Sequence, residues 1–177
     1  MIILGIDPGS RSAGYGLIEV QARKLTYLAS GTLKFDHIKE FMPRLGEVYR
    51  DAEMLLTKYR PDEIALESLI YVKNVSSLAK LSQARGAMLA AFCQTHAEKI
   101  FEYSPNLIKS SVTGHGHASK EGMEKTLKMI LGSELQFKSN DESDALGVAV
   151  CHALNHGRPQ IKSSSKTRKL RDIALRK

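Results

Sequence analysis

Only two cysteines, Cys93 and Cys151, occur among the 177 residues. So few exclude the disulfide-dense scaffolds of small secreted domains, and both fall in stretches of helical periodicity, where reduced and packed thiols are expected. No apolar run approaches the roughly 20 residues that a membrane-spanning helix needs. Met1 leads straight into a strand-like segment instead of a basic, apolar signal pattern, so the expected location is the cytoplasm. No Ser/His/Asp or Cys/His set stands at a recognisable spacing. The spacing among His115, His117, Cys151, His152 and His156 matches no common zinc pattern, and there is no internal repeat of solenoid length. What remains is a chain with 42% hydrophobic residues, enough for one core.

The formal charge of +7 is distributed unevenly. From Arg158 to Lys177 there are eight basic residues against Asp172 alone, so 18 basic and 18 acidic residues are left for positions 1–157. A neutral domain over 1–157 followed by a basic tail over 158–177 is therefore expected, the tail adding nonspecific affinity for nucleic acid.

The opening MIILGID, ended by Pro8-Gly9, reads as a buried strand and a turn. Strand patterns at 14–20 and 26–33 complete a three-stranded antiparallel meander. Apolar residues recur at helical spacing from Ile38 to Leu56, followed by a short strand over 62–67 and a long helix over 75–96. A fifth strand is expected at 100–103. Ser104-Pro105 then supplies an N-cap and a first-turn proline for a helix running to Val112. After the loop Thr113-Gly-His-Gly-His117, two helices are read over 119–131 and 140–156. The later strands need crossovers and so run parallel, which predicts an α/β protein with a mixed five-stranded sheet of RNase H-like order flanked by helices.

Acids stand where strands end. Asp7 closes an apolar strand, and Asp-Pro-Gly alone also reads as a turn; Glu67 closes EIALE in the same way. Parallel neighbours bring two such carboxylates to one edge of the sheet, where α/β proteins hold ligands. Asp141 and Asp144 lie three apart and share a helical face, whereas Glu142 points elsewhere. Each could simply complement a helix N-terminus, but four converging carboxylates in a neutral domain repel one another unless a cation joins them. Oxygen donors suit magnesium, with manganese as a substitute. Two such ions about 3.5–4 Å apart can drive in-line displacement at phosphorus.

Taken in order, GIDPGSRSAGYGLIE, IALES, KNVSSLAKLSQARG, EYSPNLIKSSVTGHGHASK and DESDALGVAVCH resemble RuvC-type Holliday junction resolvases over nearly all of the chain up to His156. The resemblance implies a homodimer that binds a four-way DNA junction and nicks two opposing strands symmetrically. It implies one active site per subunit at Asp7, Glu67, Asp141 and Asp144, ligatable 5′-phosphate products, and cooperation with a RuvA and RuvB branch-migration complex. Two ions per subunit are expected, Asp7 bridging them, Glu67 and Asp141 holding one each and Asp144 completing the shell. Lys109 and Lys120 match basic residues that hold the cleaved strand, and His115 and His117 lie in a glycine loop that can approach phosphate. The family's aromatic residue three positions after the glutamate is replaced by Ile70, so either Tyr71 stacks on junction bases or Ile70 wedges between them. Lys73, Asn74 and Arg85 also agree with the family pattern and are expected DNA contacts, and the helix containing them is the expected dimer surface. Competing readings are a non-cleaving junction-binding module, an actin-like ATPase, for which 177 residues leave no room, and a nuclease for RNA:DNA hybrids.

Overall fold

Alternation along the strands decides which side chains meet which helices. The computed structural model describes residues 1–69 and 74–156; Ile70, Tyr71, Lys73 and the 158–177 tail lie outside the described residues. The strands are β1 Ile2–Asp7, β2 Ser12–Gln21, β3 Lys24–Lys34, β4 Glu63–Glu67 and β5 Ile100–Tyr103. They form one sheet in the order β3-β2-β1-β4-β5. β1 pairs antiparallel with β2 and β2 with β3, whereas β1, β4 and β5 run parallel. This is the RNase H-like arrangement expected from the sequence.

The helices are α1 Phe41–Tyr59, α2 Val75–His96, α3 Pro105–Thr113, α4 Lys120–Leu131 and α5 Asn140–Asn155. On one face of the sheet, Leu4, Ile6, Leu17, Ile64 and Leu66 pack with Val48, Ala52 and Leu55 of α1 and Met88, Ala91 and Phe92 of α2. On the other, Ile3, Ile18, Ala65 and Tyr103 pack with Ile108 and Val112 of α3, Met123 and Leu127 of α4, and the apolar stripe of α5. Each strand thus serves two cores by its period of two.

Differences from the sequence reading are local. β2 and β3 extend further than their apolar alternation because a tight turn joins them, with Ala22 and Arg23 at φ 47° and 71°. α1 starts at Phe41, leaving Ile38 in the preceding turn. Of the two thiols expected to be packed, Cys151 is buried but Cys93 is exposed, since the outer side of α2 faces away from the sheet.

Candidate active site

Asp7 and Glu67 are the last residues of β1 and β4, which lie side by side and parallel, so their carboxylates emerge at the same edge. α5 crosses the sheet on the face of Gly5, and the first motif is glycine-rich because the helix sits almost on the strands. A Cβ on Gly5 would lie 2.2 Å from the Ala145 carbonyl oxygen, and one on Gly14 would lie 1.9 Å from that of Asp141. Only residues without a side chain permit this approach, and it brings the first turn of α5 to the carboxylate edge.

That turn is anchored twice. Ser12 Oγ donates to Asp141 Oδ2 at 2.8 Å, tying β2 to the helix. Ser139 caps the helix by accepting from the Glu142 N–H, and its hydroxyl is 2.6 Å from that of Thr32 on β3. Glu142 is buried and accepts from the Lys138 N–H at 3.3 Å. The motif Ser139-x-x-Glu142 is a capping-box pattern. The helix-cap role weighed for all these acids therefore belongs to Glu142, while Asp141 and Asp144 are left for the site.

Electrostatics shows how crowded the edge is. Burial, then the charges of Glu67 and Asp144, push the Asp7 carboxyl up to about 8, with a hydrogen bond to Glu67 and the Asp141 charge adding to the rise. Glu67 is also raised, chiefly by burial; the hydrogen bond from Asp7 and the charges of Lys109 and Lys120 work against this rise. Both carboxyls of this hydrogen-bonded pair are thus pushed toward their protonated forms. Four carboxylates sharing one edge accept a proton or a cation to relieve their repulsion.

Beside them opens a cavity of about 190 Å³ lined by Glu67, Asp144, Lys109, Lys120 and an apolar floor of Ile108, Met123 and Val148. Lys120 Nζ is 3.4 Å from Asp144 Oδ2, and its side chain remains more than half exposed. The structure therefore brings Asp7, Glu67, Asp141, Asp144, Lys109 and Lys120 together. His115 and His117 are exposed on the loop between α3 and α4.

Two of the expected DNA contacts are placed differently. Asn74 uses its side chain to cap α2 by accepting from the Ser77 N–H. Arg85, expected to face DNA, is buried on the inner side of α2 with Nη2 3.0 Å from Glu102. The weak apolar patterning of α2 hid which side of that helix faces inward. Sequence reasoning also missed a broad polar groove of about 660 Å³ on the other side of Asp141, lined in part by Arg11, Lys34 and Lys138. Its signal was three scattered cations, of which only Lys34 lies in a strand, that the fold brings together.

Comparison with known proteins gives a consistent result. The family model for crossover junction endodeoxyribonuclease RuvC matches residues 3–152. A protein of that description from Geotalea uraniireducens is 40% identical over 153 residues, 86% of this chain and 88% of the relative. One from Natranaerobius thermophilus is 39% identical over 153 residues, 86% of this chain and 94% of the relative. T. thermophilus RuvC in complex with Holliday junction substrate superposes with a TM-score of 0.79 at 29% identity, covering 87% of this chain and 93% of that one. The yeast mitochondrial Holliday junction resolvase shares the fold, with a TM-score of 0.63 at 18% identity over 88% of this chain and 81% of its own. The chain that folds its carboxylates onto one sheet edge therefore belongs to the RuvC family of crossover junction endodeoxyribonucleases.

Proposed function

We propose that this chain resolves four-way DNA junctions by paired symmetric nicks, with Asp7, Glu67, Asp141 and Asp144 holding the divalent ions that phosphodiester hydrolysis requires. Family membership makes it a crossover junction endodeoxyribonuclease. The observation that carries the metal reading is the pressure on Asp7, whose carboxyl is pushed up to about 8 by burial and by neighbouring acids. A donor set of carboxylate oxygens fits hard ions, so magnesium, or manganese in its place, suits the site, with two ions per subunit. When bound, such ions neutralise charge on the phosphate and make water a competent nucleophile.

The chain's own residues then position and clamp. Ser12 aims the Asp141 carboxylate by donating to Oδ2, and Lys120 keeps Asp144 turned toward the cavity. Lys109 and Lys120 offer ammonium groups to the oxygens of the scissile phosphate, where negative charge grows in the transition state. Ile108, Met123 and Val148 give the adjoining sugar an apolar surface. His115 and His117 stand on an exposed loop suited to backbone phosphate contacts. Either Tyr71 or Ile70 is assigned to bases at the junction centre, and Lys73 to the DNA.

Homodimerisation through α2 is supported by its first turns. No residue from Val75 to Gln83 is fully buried, Val75 is 73% exposed, and a Cβ on Gly86 would meet nothing within 4 Å. Two sites related by such a dimer axis would cut opposing strands. Nicks bearing 5′-phosphates, delivered after branch migration by RuvA and RuvB, complete the proposal.

Substrate competition tests it. Nicking of a labelled four-way junction in magnesium is measured against excess unlabelled junction, linear duplex or RNA:DNA hybrid, which differ in branching and groove shape. Competition by junction alone is expected. Preferential competition by the hybrid would assign the chain to hybrid cleavage instead.

A further inference from the structure

The strand and helix that carry the carboxylates hold a second group of chemically reactive side chains at their other ends. Glu63 begins β4 four residues before Glu67, so both side chains leave the same face of the sheet about 13 Å apart along the strand. On α5, Asp144, Val148 and His152 follow at four-residue spacing, and His156 at the C-cap continues the row. β4 and α5 thus meet twice, first at the carboxylates and again where Glu63 reaches the two imidazoles.

At that second meeting, Glu63 Oε2 lies 2.6 Å from His152 Nε2 and 3.0 Å from His156 Nδ1. One ligand atom from each of the three residues falls within a sphere of contacts no longer than 4.8 Å. The His152 ring is buried and stacked against Phe101 at 4.6 Å between centroids, and its other nitrogen, Nδ1, is hydrogen-bonded to the Tyr103 hydroxyl at 2.7 Å.

We propose that Glu63, His152 and His156 bind one transition-metal ion of the zinc class per chain, at the end of the sheet opposite the four carboxylates. Two imidazoles and one carboxylate are a borderline-soft set that favours zinc over magnesium, and three protein ligands leave a fourth position for water. Although the wider His115-to-His156 set matches no zinc pattern, His152 and the C-cap His156 taken alone are four apart, the separation of the paired histidines in zinc-binding helical motifs. The hydrogen bond to Tyr103 fixes the ring of His152 as an outer partner does in metal sites. Ion entry replaces the proton on His152 Nε2; that ring stays neutral by carrying its proton on Nδ1 toward Tyr103 Oη. The His156 side chain, 45% exposed, gives the ion a path from solvent.

The sequence concealed this site because its third ligand is 89 positions from His152. His115, His117 and Cys151 take no part in the group. The bound ion clamps the end of α5 to β4 and so steadies the helix that bears Asp141 and Asp144.

The full chain is titrated with Co2+ as a spectroscopic probe in excess magnesium, which occupies the carboxylates, and Zn2+ is then used to displace it. One equivalent of Co2+ with visible absorption of a four-coordinate ion is expected. Zn2+ at about 100 times its Kd should raise Tm by roughly 5 °C. His156→Ala, at an exposed position, should weaken Co2+ binding at least 10-fold and lose the Tm shift, with junction nicking in magnesium unchanged; Glu63→Gln should weaken it likewise. A native chain with neither signal, or a His156→Ala chain that binds Co2+ as tightly as the native one, would overturn the proposal.

Discussion

β4 and α5 are joined at both ends by polar groups, and the two junctions are opposites. At one end Asp7, Glu67, Asp141 and Asp144 bring acceptor against acceptor, and burial with like charge drives Asp7 far above its ordinary range. At the other, Tyr103, His152 and Glu63 bring donors to acceptors in a hydrogen-bonded chain, with His156 Nδ1 3.0 Å from the same Glu63 oxygen. Burial lowers the His152 pKa while Glu63 pulls it back up, so that ring is a neutral partner in the chain. Polar groups can be buried in either way, but only the second arrangement is satisfied by the protein alone. The first takes up a proton or a cation to relieve its repulsion.

The contrast is broken most severely at Asp7. Asp7→Asn should lower junction nicking by at least about 10³-fold, because an amide cannot supply the anionic oxygen that the ions need. Next comes Gly14→Ala, whose new methyl would stand 1.9 Å from the Asp141 carbonyl oxygen. Pushing α5 off the sheet should cost about 2–3 kcal/mol in denaturant unfolding and about 100-fold in nicking.

The stability of the metal-free chain sharpens the comparison further. Asp7 holds its proton to about pH 8 when folded, against an ordinary 3.8. The folded state therefore binds that proton more tightly than the unfolded one, and the stability it brings is complete below about pH 4 and lost as pH rises through 8. In chelator the native chain should lose on the order of 2 kcal/mol across that window, the open side of the site damping the effect, while Asp7→Asn should show a flatter profile by thermal unfolding. Magnesium should also flatten the native profile. A smaller change is expected from Ser12→Ala, which frees Asp141 from its hydrogen bond. Nicking should fall about 10-fold, and extra magnesium should restore part of it. Last, deleting residues 158–177, with eight basic residues against one acid, should weaken binding and flatten its salt dependence while nicking at saturation persists.

Much of this was legible in the sequence, for identifiable reasons. Strands of period two and helices of period 3.6 announced the order of the elements, and the crossovers dictated which strands run parallel. Asp7 and Glu67 stood out because acids at the ends of apolar strands are costly without a partner. Other features depended on contacts between distant residues. Glu142 was not distinguishable as the buried cap residue until Lys138 and Ser139 were seen around it. Arg85 looked like a surface cation because α2 has little apolar asymmetry, yet it faces Glu102. The Glu63 group was invisible because local spacing supplies only the two histidines.

The most direct measurement compares the native chain with Asp7→Asn on a synthetic four-way junction, scoring binding and nicking in magnesium and in chelator. The account predicts paired symmetric nicks by the native chain in magnesium alone, and junction binding without nicks by the variant. Nicking by Asp7→Asn at the native rate, or by the native chain in chelator, would contradict it.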